Sequence, residues 1–265
     1  MSDRPDAALA RIRIVLARPQ HPGNIGSAAR AMLTMGLTEL VLVAPRRFPD
    51  PEADALASHA RPLLEQARVV ASLDEAVADC AWVVATSSRQ RHLGDEPLRP
   101  EPAARQLVAL AQRAPVALVF GCERTGLTNE ELQRCQALTY IPANPDYASL
   151  NLASAVQLLC YELRKAAVDE DAPRSSKTGH PVYAPSSAQD MERFYEHLER
   201  VLLGTGFLDP RNPGLLMSRL RTLYNRARPD RNELAILRGI LTSVERPKRR
   251  SRPSAGPEPE AAGGV

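Results

Sequence analysis

Short apolar runs alternate with helical periodicity through the first two-thirds of the chain. The apolar runs predict strands at 12–17, 40–43, 69–71, 81–85, 116–120 and 138–141. Helical patterns fall between and after them, at 24–35, 62–66, 73–78, 102–112, 128–134 and 150–167. Most of the strands are continuously apolar (Leu-Val-Leu-Val-Ala, Val-Ala-Leu-Val-Phe), as strands covered on both faces must be. Such alternation predicts an α/β fold with a mainly parallel sheet.

Capping residues punctuate the pattern. Asn24 is placed to N-cap the first helix of this set, and Gly36 stands where a C′ glycine belongs. Thr128 and Glu131 make a capping box. Leu152, Val156, Leu159 and Leu163 form an apolar stripe that must pack on something.

The composition changes at 169–188, where Asp, Pro, Ser, Gly and Lys predict a linker. Helical stripes then return at Met191/Phe194/Leu198/Val201/Leu202, Leu216/Leu220/Leu223/Tyr224 and Leu234/Leu237/Ile240/Leu241/Val244. Three helices in so short a stretch are expected to dock on a larger partner rather than stand alone. The predicted organisation is an α/β domain at 1–168, a linker at 169–188, a helical extension at 189–245 and a Pro-, Gly- and charge-rich disordered tail at 246–265.

The chain has 265 residues, 44% of them hydrophobic, enough to bury a core. No apolar run approaches the ~18 residues of a membrane span, and the N-terminus does not read as a signal peptide. Cys80, Cys122, Cys135 and Cys160 are widely spaced, with no CxxC pair and no histidine cluster. Reduced thiols, no metal and a cytoplasmic location are expected. Dinucleotide, P-loop, nucleophile-elbow and zincin motifs are absent. Only 4% of residues are aromatic, which disfavours RNA binding on a stacking platform.

The net charge of +3 hides an uneven distribution. Between Arg211 and Arg250 stand 11 basic and 3 acidic residues, a local +8 that leaves the remainder at −5. Only three of the 34 basic residues are lysines. A block of this kind attracts polyanions, and Arg219, Arg221, Arg226, Arg228 and Arg231 are its candidate phosphate contacts. A solvated charged face is the plainer reading of the same residues.

Ligands of open parallel sheets bind at the carboxyl ends of strands, and four segments there stand out. Pro19-Gln-His-Pro-Gly-Asn-Ile-Gly-Ser-Ala-Ala-Arg30 is a glycine-bearing turn entering a helix, with Arg30 one to two turns from Asn24. Thr86-Ser87-Ser88-Arg follows a strand with small hydroxyl residues. Gly121-Cys-Glu-Arg-Thr-Gly-Leu-Thr128 lets backbone approach a ligand closely, with Glu123 beside it. Ile141-Pro-Ala-Asn-Pro-Asp-Tyr-Ala-Ser-Leu-Asn151 leads straight into an apolar helix. Each taken alone is also an ordinary turn.

Taken together, the last two segments are similar to the second and third motifs of the SPOUT-class RNA methyltransferases. Asn24-Ile-Gly-Ser-Ala-Ala-Arg30 resembles the first motif of the ribose-methylating branch, in the same order. The stretch from Phe194-Tyr-Glu-His-Leu through Arg238-Gly-Ile-Leu resembles the C-terminal extension of one subgroup, the TrmJ-type enzymes, which methylate the 2′-hydroxyl of nucleotide 32 in tRNA. The resemblance implies a SPOUT fold with a deep trefoil knot, a rare exception to unknotted chains. It implies S-adenosylmethionine held by Thr86, Ser87, Ser88, Gly121, Ile141, Ala148, Ser149 and Leu150. It also implies a homodimer in which Arg30 of one subunit faces the cofactor of the other, with the stripe on 150–167 in the interface.

For catalysis the resemblance points to Arg30, Asn24, Glu123, Ser149 and Asn151. Family accounts make Arg30 the base, which strains against a guanidinium pKa above about 12. Arg30 as a phosphate binder and stabiliser of the developing alkoxide is chemically easier. Asn24, Ser149 and Asn151 would then orient the ribose, while Glu123 holds Arg30 or a motif loop. A ribosomal RNA ribose methyltransferase, a non-catalytic knotted RNA-binding protein and a nucleotide-binding Rossmann protein are the competing readings.

Overall fold

The computed structural model describes residues 4–87, 96–169 and 183–245. Six strands are all parallel: β1 (Ile12–Ala17), β2 (Glu39–Val43), β3 (Arg68–Val70), β4 (Trp82–Thr86), β5 (Val116–Phe120) and β6 (Ala137–Thr139), in the order β3-β2-β1-β5-β4-β6. Every strand expected from the apolar runs is present, and β1 and β5 have the expected bounds.

Period-two geometry divides each central strand between two cores. Ile12, Ile14 and Leu16 of β1 face one layer with Leu118 and Phe120 of β5, whereas Val15 and Ala17 face the other with Ala117 and Val119. The first layer is closed by α1 (Arg4–Leu9), α2 (Pro22–Thr34), α3 (Pro51–Ala57), a 3-10 turn at Ser58–Ala60, α4 (Arg61–Glu65), α6 (Pro100–Ala111) and α8 (Leu152–Val168). The second is closed by α5 (Leu73–Val77) and α7 (Asn129–Gln133). One charge is buried within a strand. Arg13 is buried, donates to the carbonyl of Ala76 at 2.7 Å and pairs with Asp79 at 2.7 Å.

Local signals account for most helix ends. The Thr128–Glu131 capping box forms, and Gly36 takes a φ of 79° after α2. Asn24 differs from expectation. Pro22 begins α2 earlier, with its fixed φ suited to the first helical position, so His21 is the N-cap and Asn24 lies inside the first turn. Helices α1 and α3 have no counterpart in the expected pattern. The sequence of α3 is alanine and acid without a stripe, and its place is set by Gly26 of α2. A Cβ on Gly26 would stand 2.1 Å from the Ala53 carbonyl oxygen, so only glycine allows this approach.

A second correction concerns α8. Leu152, Val156, Leu159 and Leu163 are 6% exposed or less and pack inside this chain against the layer with α2 and α6. The stripe therefore does not belong to a subunit interface. The apolar residues that α8 exposes are Leu158, Tyr161 and Val168.

The extension contains α9 (Ala188–Gly204), α10 (Leu216–Ala227) and α11 (Arg231–Glu245), packed around Phe194, Tyr195, Leu198, Val201, Leu234 and Leu241. It docks on the α/β domain of its own chain. The N–H groups of Ala188 and Gln189 donate to the carbonyls of Cys80 and Ala78, next to the start of β4. Residues 183–187, expected in the linker, are held by the extension: Arg231 donates its N–H to the Ala184 carbonyl, and Pro185 bridges to Asp230. Most of the expected linker and the whole expected tail lie outside the described residues.

Candidate active site

The carboxyl ends of β4, β5 and β6 open on a cavity of about 350 Å³. Thr86, Ser87, Gly121, Ile141, Ala148, Ser149 and Leu150, all expected as cofactor contacts, line it. Ser88, the eighth, lies outside the described residues. The lining mixes hydroxyls (Thr86, Ser87, Ser149) with apolar walls (Phe120, Leu127, Ile141, Leu150), which suits a ligand carrying both a flat apolar ring and polar substituents.

One wall is the tight loop 121–127. It closes on itself through the Gly126 N–H to the Cys122 carbonyl at 2.8 Å, with Gly126 in the left-handed region at φ 68°. Gly121 lies under the returning strand of this loop. A Cβ there would fall 2.3 Å from the Leu127 nitrogen, so a side chain would push the loop into the cavity. Both glycines are thus needed by backbone geometry.

Three polar side chains from separate segments form one chain of hydrogen bonds. The Glu123 carboxylate accepts from the Asn24 side-chain amide at 2.9 Å, from the Gln20 N–H at 2.9 Å and from the His21 N–H at 3.3 Å. The Asn24 carbonyl oxygen accepts from the Asn151 side-chain amide at 2.9 Å. Asn151 in turn caps α8, accepting from the N–H groups of Ala153 and Ser154. The first, third and fourth segments are therefore tied together, by side chains up to 127 positions apart in sequence.

Burial pushes the Glu123 carboxyl up, but the donors from Asn24, Gln20 and His21 outweigh it and hold it below the usual carboxylate range. A carboxylate so occupied is a poor proton acceptor and a good anchor. Its donors all come from residues 20–24, so it ties that segment to the loop 121–127. Arg30 is exposed on α2, and no ion pair between it and Glu123 is present among the described residues. Ser149 is exposed at the cavity mouth.

The five candidate RNA-binding arginines separate into two groups. Arg221 forms a double ion pair with Glu192 at 2.6 and 2.8 Å and lies over the Tyr195 ring. Arg228 caps α10 in the left-handed conformation, stacks 4.5 Å above the buried Trp82 ring and donates to Gln106 at 2.8 Å. These two hold the extension to itself and to the α/β domain. Arg219, Arg226 and Arg231 are exposed, as is Arg228 outside the contacts just given.

Sequence reasoning misses Arg18, which follows β1 and reaches Glu131 and the Gly126 carbonyl. A charged residue directly after an apolar strand, at its carboxyl end, is the available signal. It also gives no role to Cys122, which lines the cavity. Burial raises this thiol, yet the N–H groups of Arg124 and Thr125 reverse the effect and leave it below its ordinary value. Burial pushes Cys80 and Cys160 up to about 12, the pattern of inert core thiols. All four cysteines are free, and no cluster of metal-ligating side chains occurs among the described residues. No described helix is long and apolar enough to cross a membrane.

Residues 11–161 match the SpoU rRNA Methylase family, and residues 189–253 match the C-terminal domain of the tRNA methyltransferase TrmJ. A tRNA (cytidine/uridine-2'-O-)-methyltransferase TrmJ of Sodalis glossinidius is 51% identical over 93% of this chain and 96% of its own. Its counterpart from Klebsiella pneumoniae is 51% identical over 89% of this chain and 97% of its own. The crystal structure of TrmJ from Z. mobilis superposes with a TM-score of 0.74 at 37% identity, covering 88% of this chain and 99% of that one. The six-stranded parallel sheet is accordingly that of a SPOUT fold. Matched along more than half its length by the family, and half identical to relatives along nearly all of it, the chain belongs to the SpoU methylases, in the branch that carries the TrmJ C-terminal domain.

Proposed function

We propose that the chain methylates the ribose 2′-hydroxyl of nucleotide 32, cytidine or uridine, in the anticodon loop of tRNA, using S-adenosylmethionine. The observation that carries the reading is the Glu123–Asn24–Asn151 chain at the mouth of the cavity, which joins the three loops of the ribose-methylating branch. The names of the relatives supply the tRNA and the two bases, and the helical extension favours tRNA over ribosomal RNA.

The cavity fits the cofactor by its mixed lining: apolar Ile141 and Leu150 suit an adenine, and Thr86, Ser87 and Ser149 suit its polar groups. When bound, S-adenosylmethionine supplies a methyl on a positively charged sulfur, so attack by oxygen neutralises charge. Everything else falls to this chain. Asn24 is locked from both sides, by Glu123 and Asn151, and offers a fixed surface for positioning the ribose. Arg30 supplies a permanent cation for the adjacent phosphate and for charge developing on the ribose oxygen. A homodimer would bring Arg30 to the partner's cavity, and the exposed Tyr147, Tyr161 and Leu158 offer an apolar surface for it. The trefoil knot and the cytosol, with its tRNA pool, complete the reading.

The test is transfer of labelled methyl from S-adenosylmethionine to total tRNA and to ribosomal RNA, followed by mapping of the modified nucleotide. Label on the ribose of nucleotide 32 is expected. Label confined to ribosomal RNA, or on a base, overturns it.

A further inference from the structure

The loop 121–127 hangs from the β1–α2 turn at two points. One is Glu123, gripped by Gln20, His21 and Asn24. The other is Arg18, the left-handed residue (φ 53°) that follows β1. Its guanidinium makes a forked pair with Glu131, Nε to Oε1 at 2.9 Å and Nη2 to Oε2 at 2.8 Å, and also reaches the Gly126 carbonyl at 3.2 Å. Glu131 extends the anchor, since its Oε2 accepts from the Thr128 N–H at 2.7 Å. The Glu131 side chain is 14% exposed and that of Arg18 33%, so the pair is shielded enough to hold its geometry.

We infer that Arg18 is a positioning residue for the cofactor, acting through Gly126 and Glu131 to fix the half of the loop that walls the cavity. The inference rests on the cavity being the cofactor site. The division of labour follows from where each anchor pulls. Glu123 ties the start of the loop to Asn24 and so serves both the ribose side and the cavity wall, whereas Arg18 holds Gly126 and, through Glu131, Thr128, on either side of the cavity-lining Leu127. Loosening the Arg18 anchor lets this wall move while leaving the Asn24–Asn151 bond intact.

The test measures binding of S-adenosylmethionine by calorimetry, binding of tRNA, and steady-state rates, for the full chain and its Arg18→Met, Arg18→Lys and Glu131→Gln variants. Arg18→Met should weaken cofactor binding about ten-fold and raise its KM alike, with kcat and tRNA affinity within about two-fold. Arg18→Lys, which keeps the charge but not the fork, should recover part of the loss. Glu131→Gln retains a carbonyl oxygen for Thr128 and should match Arg18→Met; it carries the test if that variant does not fold. The Arg18→Met/Glu131→Gln double variant should be no worse than either single one. Unchanged cofactor binding in both single variants overturns the inference, as does a loss confined to tRNA binding, which would make Arg18 an RNA contact. Failure of the unaltered chain to bind S-adenosylmethionine would instead overturn the proposed function itself.

Discussion

The α/β domain and the helical extension hold together by different means. In the α/β domain two apolar layers sandwich a sheet whose central strands are almost fully buried, with Arg13 the one charged residue buried among the described residues. The extension has a small core and leaves Phe207 and Leu215 about 70% exposed. Much of its attachment is ionic. Arg134 of the α/β domain bridges Asp74 and Glu192, Arg221 shares that same Glu192, and Arg228 lies on Trp82. The difference teaches that basic residues in the extension have two jobs, attachment and display, so a local charge of +8 overstates the surface left for RNA. It also separates the jobs in space, because α9 starts beside the amino end of β4, while the cavity lies at the carboxyl ends.

The largest effect should come from the α/β domain. Arg30→Ala is expected to lower kcat by about 10²–10³, the scale of losing one charge stabiliser, with cofactor affinity unchanged. Arg30→Lys distinguishes its two roles: near-normal turnover would show that the bidentate fork is not needed. Single-turnover methylation of tRNA measures both. If Arg30→Ala keeps full kcat, the catalytic burden does not lie on this helix.

The extension's arginines should then separate experimentally as they do structurally. The Arg219→Gln/Arg231→Gln pair should reduce the slope of log affinity for tRNA against log salt by about two, one for each phosphate left unneutralised, without lowering stability. Arg221→Met should do the reverse. It removes a forked pair from Glu192, a carboxylate only 24% exposed that keeps its pair with Arg134, costing about 1 kcal/mol in urea unfolding, and leaves the salt slope alone. A reduced slope for Arg221→Met would erase the distinction between attachment and display.

This distinction marks the edge of what the sequence discloses. Strands such as Val116–Phe120 are legible because burial on both faces writes itself as an unbroken apolar run. The cavity residues are legible only through the resemblance of their segments to a known family, since each taken alone is an ordinary turn. Helix α3 is not, since it is fixed by an absent Cβ at Gly26, a constraint belonging to its neighbour. Arg221 and Arg228 mislead for a related reason. Whether an arginine meets a phosphate or its own protein depends on Glu192 and Trp82, which come from other elements, and composition cannot show the pairing. The stripe on α8 is legible as buried, but its partner lies inside the chain. Nothing in a periodicity says which surface will cover it.

The smallest effect at neutral pH, and the most selective, concerns Glu123. Its folded-state pKa lies below the ordinary value, so protonation favours the opened loop. The stabilisation is complete above the unfolded value of about 4.3 and is lost as pH falls below that through the lower folded value. Cofactor binding should therefore be flat from about pH 8 to 5 and weaken only below about pH 4. Asp79 under the sheet is depressed in the same direction, chiefly by its hydrogen bond from Arg13, and adds a loss of global stability over the same range. Glu123→Gln separates the two. It should bind the cofactor more weakly at neutral pH and show no further acid limb in binding, while its acid unfolding still follows Asp79. A Glu123→Gln variant whose binding falls off in acid as the unaltered chain does would place the titrating group elsewhere, and the loop would not be held by this carboxylate.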